Sequence, residues 1–219
     1  MSTRRTRRAP RCASAQRGSI PPLADDDAEW SDLVVDGLDL SGIVVATLTI
    51  TGCVLRDVSL TGASIGELRI ANSVFERCEL SGFSADRLEV VQSEFRGCRM
   101  DGAVVGAGRW LDVGVLECSA RDASMRMTTW QRAEFVDSVM PRVDFTGADL
   151  DAASFAGCDL GGAQFWGATM LGVTLRGSAL GGVRGGLAFR GVRIDALQIS
   201  DIARTLFEGL DIVVLDDTT

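Results

Sequence analysis

From Val35 to Leu180 every fifth residue is apolar, thirty positions without an exception. The series begins Val35, Leu40, Val45, Ile50 and Leu55, and it closes with Phe165, Met170, Leu175 and Leu180. An α-helix repeats about every 3.6 residues and a β-strand about every 2.0, so neither keeps such a series on one face. A period of five requires a chain that turns after each five residues and brings the same position inward every time. The pattern therefore predicts a coil built from five-residue sides.

Within each unit the large apolar residue is a centre. The residue two before it is small or apolar, as at Ala63, Ala103, Val143, Ala148, Cys158 and Ala168. The residue two after it is Gly in fourteen of the thirty units, among them Gly37, Gly42, Gly147 and Gly162. Glycine there supplies the positive φ of a tight turn between sides. The positions flanking the centre carry most of the charge and must face outward. Cys78, Cys98 and Cys118 are spaced by twenty residues. In a coil of four sides such positions stack one strand spacing apart, about 4.8 Å. Parallel side-chain vectors do not favour a disulfide, and cysteine packs as a small hydrophobe, so these thiols read as a core ladder. Trp110 and Trp130 also become neighbours in the stack. Two indoles are large for a narrow tube, and they read either as a local bulge or as a ligand site. Repetition at a fixed period makes the whole a quasi-one-dimensional stack.

The ends break the pattern. Residues 1–24 hold six Arg, two adjacent prolines and no acid, and read as a disordered basic tail. Residues 25–34 form an acidic entry in which Trp30, Leu33 and Val34 cover the open end of the first coil, as solenoid termini require. The repeat occupies 35–182. The register then fails, because the next centres would be Gly185 and Arg190. Ile199, Ile202, Ala203, Leu206 and Phe207 follow helical spacing. They predict an amphipathic helix over about 200–208 within a C-terminal cap of 183–219, with Ser200 as N-cap and Gly209 as stop. A last strand is expected over 210–215. The helix closes the tube, and its apolar face is a candidate surface for a second copy.

Composition narrows the chemistry. The 219 residues carry a formal charge of −8, and all 22 basic residues are Arg; His, Lys and Tyr are absent. Imidazole-activated nucleophiles, Schiff-base lysines and histidine-ligated metals are thereby removed. Carboxylate-only catalysis needs a pocket to shift pKa values, and a filled tube leaves little room for one. The chain is therefore expected to be no enzyme, with no cofactor, metal or small-molecule substrate. No apolar run reaches membrane-span length, and the Arg-rich start lacks a following apolar stretch. The expected compartment is the cytoplasm, with neither membrane nor nucleic acid bound directly.

Ala148-Asp149-Leu150-Asp151-Ala152, Cys158-Asp159-Leu160-Gly161-Gly162 and Val143-Asp144-Phe145-Thr146-Gly147 resemble the Ala-(Asp/Asn)-Leu-X-X consensus of the pentapeptide repeat family. The resemblance covers about 150 residues and, because no loops interrupt the units, is similar to the mycobacterial fluoroquinolone-resistance type. It implies an all-β solenoid: a right-handed quadrilateral β-helix of about seven coils of four pentapeptides, with a C-terminal capping α-helix. It implies a protein-interaction rod whose partner the residues do not name. The best-studied members mimic duplex DNA, bind DNA gyrase or topoisomerase IV, protect them from quinolones, and dimerise through a C-terminal helix. Ile199, Ile202, Leu206 and Phe207 are the candidate cap and dimer residues here.

Charge density bears on the mimicry. Residues 133–175 span about two coils, roughly 10 Å, where B-DNA would carry about six charges. The segment holds six acids (Glu134, Asp137, Asp144, Asp149, Asp151 and Asp159) against Arg142 alone. These six are the candidate acidic binding surface. Residues 56–132, with eleven acids and ten Arg, are nearly neutral.

Overall fold

The computed structural model describes residues 7–12, 14–17, 27–213 and 215. The five-residue units fold into a parallel β-helix in which, within the repeat, residues pair with those twenty positions on. Val35 lies opposite Leu55, Leu55 opposite Phe75, and the column runs on through Phe95, Val115, Phe135 and Phe155 to Leu175. We call this side face 1; the chain then passes to faces 2, 3 and 4, whose first centres are Leu40, Val45 and Ile50. Face 4 begins one turn earlier than the thirty centres suggest, because Trp30 sits opposite Ile50 and is fully buried. Trp30 is thus a rung of the ladder as well as its cover, and the solenoid has about eight turns.

All thirty centres are buried, and so are most residues two before them. Aromatic centres in one column stack face to face: Phe135 on Phe155 at 4.4 Å and 2°, Trp110 on Trp130 at 4.3 Å and 8°. Such contacts arise because the rung spacing of a parallel sheet is close to the preferred separation of stacked rings. The cysteine ladder is present with all six thiols free, and Cys53, Cys78, Cys98, Cys118 and Cys158 are buried. Each of these five thiols donates to a main-chain carbonyl, and Ser138 takes the intervening place with the same bonding.

Corners adopt positive φ whether or not they hold glycine. Asp57, Asn72, Arg77, Gln92, Asp112 and Asp137 are all left-handed at this position, alongside Gly37, Gly62 and Gly147. The coil imposes the conformation, and the non-glycine residues bear a local cost. One corner departs from the four-sided plan. Between faces 3 and 4 the first coils do not turn; Val44–Thr51, Ser64–Ala71 and Ser84–Val91 are continuous eight-residue strands. The corner becomes a turn only from Ala107 onward.

The register ends where the sequence loses it. Gly185, with φ of 90°, stands at the next centre of face 3, and a Cβ there would meet the Phe165 backbone at 2.6 Å. Phe189, from the short 3-10 turn Gly186–Phe189, packs edge-on against Phe165 instead. The helix α1 (Ile199–Gly209) closes the tube, burying Ile202 and Thr205, with Thr205 Oγ1 donating to the Val183 carbonyl at 2.6 Å. Gln198, twenty residues after Ser178, caps the Cys/Ser column by donating its amide to the carbonyls of Leu175 and Ser178. The expected strand over 210–215 is not formed among the described residues there, which are all exposed and lie in a turn and coil; Val214 lies outside them.

The N-terminal expectation needs correction. Residues 7–12 and 14–17, read as part of a disordered tail, lie against the rod, and Gln16–Arg17 pairs in parallel with Leu33–Val34 as an edge strand of face 1. Arg7 pairs with Glu94 and Glu134 and Arg17 with Asp36 on the outer surface, which composition alone did not register. The rest of that segment and the entry residues Asp25 and Asp26 lie outside the described residues.

Candidate interaction surface

The interior offers no room for chemistry. A void among Leu68, Phe75, Leu88, Phe95, Trp110 and Met125 has apolar walls and space for about one water. The Trp pair is part of this packing, with both side chains buried. Trp130 Nε1 donates to Thr128 Oγ1 at 2.9 Å, and that hydroxyl donates to the Met125 carbonyl. Among the described residues no three or more of Cys, Asp and Glu gather into a metal-holding group, and no helix is long and apolar enough to cross a membrane.

The six candidate acids are distributed around the rod. Glu134 projects from face 1, Asp137 from the corner that follows, Asp159 from face 2, Asp144 from face 3 and Asp149 from face 4, with Asp151 just beyond. The coil brings them into adjacent turns and onto different sides. Four also serve the backbone. Asp144, Asp149 and Asp159 each accept the N–H of the residue two on, at 2.8, 3.1 and 2.9 Å, and Asp151 accepts that of Leu171 at 2.8 Å. An acid just before the centre therefore closes its own corner.

Two of the six are paired with arginine. Arg126 Nη1 bonds Asp144 at 2.9 Å, and Arg7 bonds Glu134 at 3.3 Å. Partial burial disfavours the Asp144 carboxylate, but hydrogen bonds from Thr146 and the Arg126 guanidinium hold it below its usual range. In the neutral middle, acids and arginines alternate up the stack: Arg56 with Glu76 at 2.8 Å, Asp57 with Arg77 at 2.7 Å.

The candidate helix residues divide between two environments. Ile202 is buried in the cap and Leu206 half-buried, whereas Ile199 and Phe207 point away from the tube. Leu197, Leu210, Trp166, Leu171 and Leu187 are also exposed at this end. Trp166, Leu187, Glu208 and Asp211 line one open groove beside the helix C-terminus. Sequence reasoning passed over Trp166 and Leu187, since an apolar residue just after a centre has no fixed meaning until the cap is in place.

The family model for pentapeptide repeats matches residues 148–184 with eight copies. Residues 148–184 are pentapeptide repeats. The matched units are those closest to consensus, and the same twenty-residue pairing continues from them back to Trp30. No curated protein matches the chain in sequence. Among solved structures, a trypsin-treated variant of QnrB1, a plasmid-mediated fluoroquinolone resistance protein, is 17% identical, with 87% of this chain and 100% of that chain covered and a TM-score of 0.39. HetL, involved in heterocyst differentiation regulation in the cyanobacterium Nostoc sp. strain PCC 7120, is 14% identical over 71% of this chain and 88% of its own, TM-score 0.33. A pentapeptide repeat protein of the Arabidopsis thaliana thylakoid lumen is 15% identical over 84% and 79%, TM-score 0.22.

Proposed function

We propose that this pentapeptide repeat protein is a non-enzymatic interaction rod that binds a protein partner through its C-terminal coils and cap. The observation that carries this reading is the division between a filled interior and a chemically uneven exterior. The inward positions of every coil are occupied by side chains packed on each other, while exposed apolar residues collect at one end. The groove of Trp166, Leu187, Glu208 and Asp211 joins an aromatic anchor to two acids, the composition of an interface hot spot with a polar rim. Exposed Ile199 and Phe207 extend that surface and supply the candidate homodimer contact. Light scattering on the wild type and on Phe207→Arg tests the dimer, and a monomeric wild type refutes it. Binding of a captured partner should fall with Trp166→Ala while thermal stability holds; undiminished binding would place the interface elsewhere.

A second reading, a DNA mimic that engages DNA gyrase or topoisomerase IV, is favoured by one feature. Asp137, Asp149, Asp151 and Asp159 have no arginine partner among the described residues, so residues 137–159 present unpaired acidic charge on several sides. Purified protein should then inhibit gyrase supercoiling, and reversal of Asp149, Asp151 and Asp159 to Lys should remove the inhibition. Absence of any effect by the wild type would discard this reading and leave the first intact.

A further inference from the structure

One column on the outside of the rod is interrupted in an informative way. Just before the face 1 centres, successive turns carry Val34, Val54, Val74, Glu94, Gly114, Glu134, Ser154 and Thr174. Gly114 is the one glycine in the column, and its φ is not positive, so the backbone does not require it. Its missing side chain leaves a notch between two glutamates on the adjoining rungs.

Arg7 fills that notch. Its guanidinium donates through Nη2 to Glu94 and through Nε to Glu134 at 3.3 Å. A methyl group on Gly114 would stand 2.9 Å from Arg7 Cζ and 3.1 Å from Nη2. The Arg7 side chain is 12% exposed and the Glu94 side chain 5%, so this is a desolvated pair on a surface position. Burial pushes the Glu94 carboxyl up, yet hydrogen bonds from Arg7 and Arg96 bring it below its usual range. At the adjoining corner, buried Asp112 accepts the Arg8 main-chain N–H at 3.2 Å and the Arg132 fork at 2.6 and 2.8 Å.

From there the chain follows the corner column toward the first coil. Ser14 Oγ donates to Asp32 at 2.8 Å and Gln16 N to the Asp32 carbonyl at 2.9 Å. Asp32 and Asp112 belong to the same corner, four turns or about 19 Å apart. Eight extended residues reach about 26 Å, so the length of chain between Arg8 and Gln16 suffices for the interval.

We propose that Glu94, Gly114, Glu134 and Asp112 form a recognition site for an arginine in an extended basic peptide, and that the chain's own N-terminal segment, through residues 7–12 and 14–17, occupies it as a displaceable strap. The site is distinct from the cap groove, and its only overlap with the acidic coils is Glu134. The strap neutralises that acid and covers Glu94 and Asp112. Opening it frees Glu134 of its arginine, while Glu94 keeps Arg96 and Asp112 keeps Arg132.

The test uses the full chain. Gly114→Val closes the notch with a residue that the same column already accepts at Val34, Val54 and Val74, so the fold should persist by far-UV circular dichroism. Trypsin should then cut after Arg8, Arg11 and Arg17 about tenfold faster than in the wild type, the factor expected when a charge-assisted pair of about 1.5 kcal/mol is lost. Arg7→Ala should show the same release. A fluorescent, N-acetylated peptide of residues 5–17 should bind the Arg7→Ala chain about tenfold tighter than the wild type, whose site is filled in cis. Adding Gly114→Val to Arg7→Ala should abolish that binding. Equal cleavage of wild type and Arg7→Ala, or equal peptide binding with and without Gly114→Val, would overturn the proposal. Should Gly114→Val lose the native spectrum, Glu134→Gln in the Arg7→Ala background serves in its place, with weakened peptide binding expected and unchanged binding fatal.

Discussion

Phe155→Ala measures how firmly one rung holds its neighbours. Phe155 is fully buried, stacked on Phe135 at 4.4 Å and edge-on to Phe145 at 6.2 Å. Removing a buried phenylalanine costs about 3–5 kcal/mol in transfer and cavity energy, a range that already contains the lost ring contacts of about 0.5–1.5 kcal/mol each. With each kcal/mol lowering Tm by roughly 2–4 °C in a chain of this size, a 4 kcal/mol loss corresponds to a drop of about 8–16 °C. The control is Leu171→Ala, which removes a side chain of similar chemistry from an outward position that is 66% exposed. It should change stability by less than about 0.5 kcal/mol. The assay is thermal denaturation by circular dichroism, repeated as an equilibrium urea titration. A Phe155→Ala shift no larger than that of Leu171→Ala would refute the assignment of inward and outward positions. Because contacts in a solenoid reach only adjacent turns, the transition should also broaden, the C-terminal coils melting apart from the rest.

Three further outcomes follow from particular groups. Cys12 is the accessible thiol, and the remaining five are buried, so Ellman's reagent should label one thiol quickly and the others only on unfolding; a second fast thiol would contradict the ladder. Arg132 holds Asp112 below the usual carboxylate range, and Arg7 and Arg96 do the same for Glu94 against the opposing effect of burial. A depressed folded value stabilises above the unfolded value of about 4, and that stability is lost as pH falls below it. Burial raises Cys158, and a hydrogen bond to Cys98 with burial raises Cys78, so their contribution is lost as pH rises past about 8.5. With no histidine present, Tm should be flat between about pH 5 and 8 and fall on both sides; a midpoint near 6.5 would refute this assignment. Gly186→Ala places a Cβ 2.1 Å from the Thr205 carbonyl oxygen, so α1 must lift. Faster amide exchange over 199–209 is expected, and unchanged exchange would show that the cap is not seated as described.

The spacing of centres in the sequence carried the coil, its four columns, the thiol ladder and the point where the register fails, because each depends only on a residue's position in the period. What it did not carry depends on how turns meet one another. Nothing in the series distinguishes Thr47 and Glu67, where the strand runs on, from Met127, where the chain turns. Arg7 reads as a tail residue until Gly114 is placed between Glu94 and Glu134, 87 and 127 positions away in sequence. The acids were legible as a cluster along the chain; only the coil reveals that they occupy different faces and that several close their own corners. The helix was legible in period and place, but its division into a buried edge at Ile202 and an outer edge at Ile199 and Phe207 follows from how it lies over the tube.

The Trp pair shows that the inward positions are constrained together. On face 4 the two inward residues per turn are Leu48 with Ile50, Leu68 with Ile70, Leu88 with Val90, then Gly108 with Trp110 and Thr128 with Trp130. Where the centre grows to an indole, its companion shrinks, so packing density is kept although neither residue is conservative by itself. Gly108 is needed for space: a Cβ there would lie 2.8 Å from Val105 Cγ1 and 3.1 Å from Trp110 Nε1. Gly108→Leu alone should overpack the coil and cost about 1–3 kcal/mol, and Trp110→Val alone should leave a cavity beneath Trp130 and cost about 3–5 kcal/mol. Together they restore the leucine-with-valine composition of the preceding turn and relieve the contact with the Trp110 indole, though not that with Val105, so the double variant should be more stable than the sum of the singles by about 0.5–3 kcal/mol. Urea denaturation of the four proteins closes the cycle. Additive costs would mean that each inward position is packed independently, and the trade of volume between them would be coincidence.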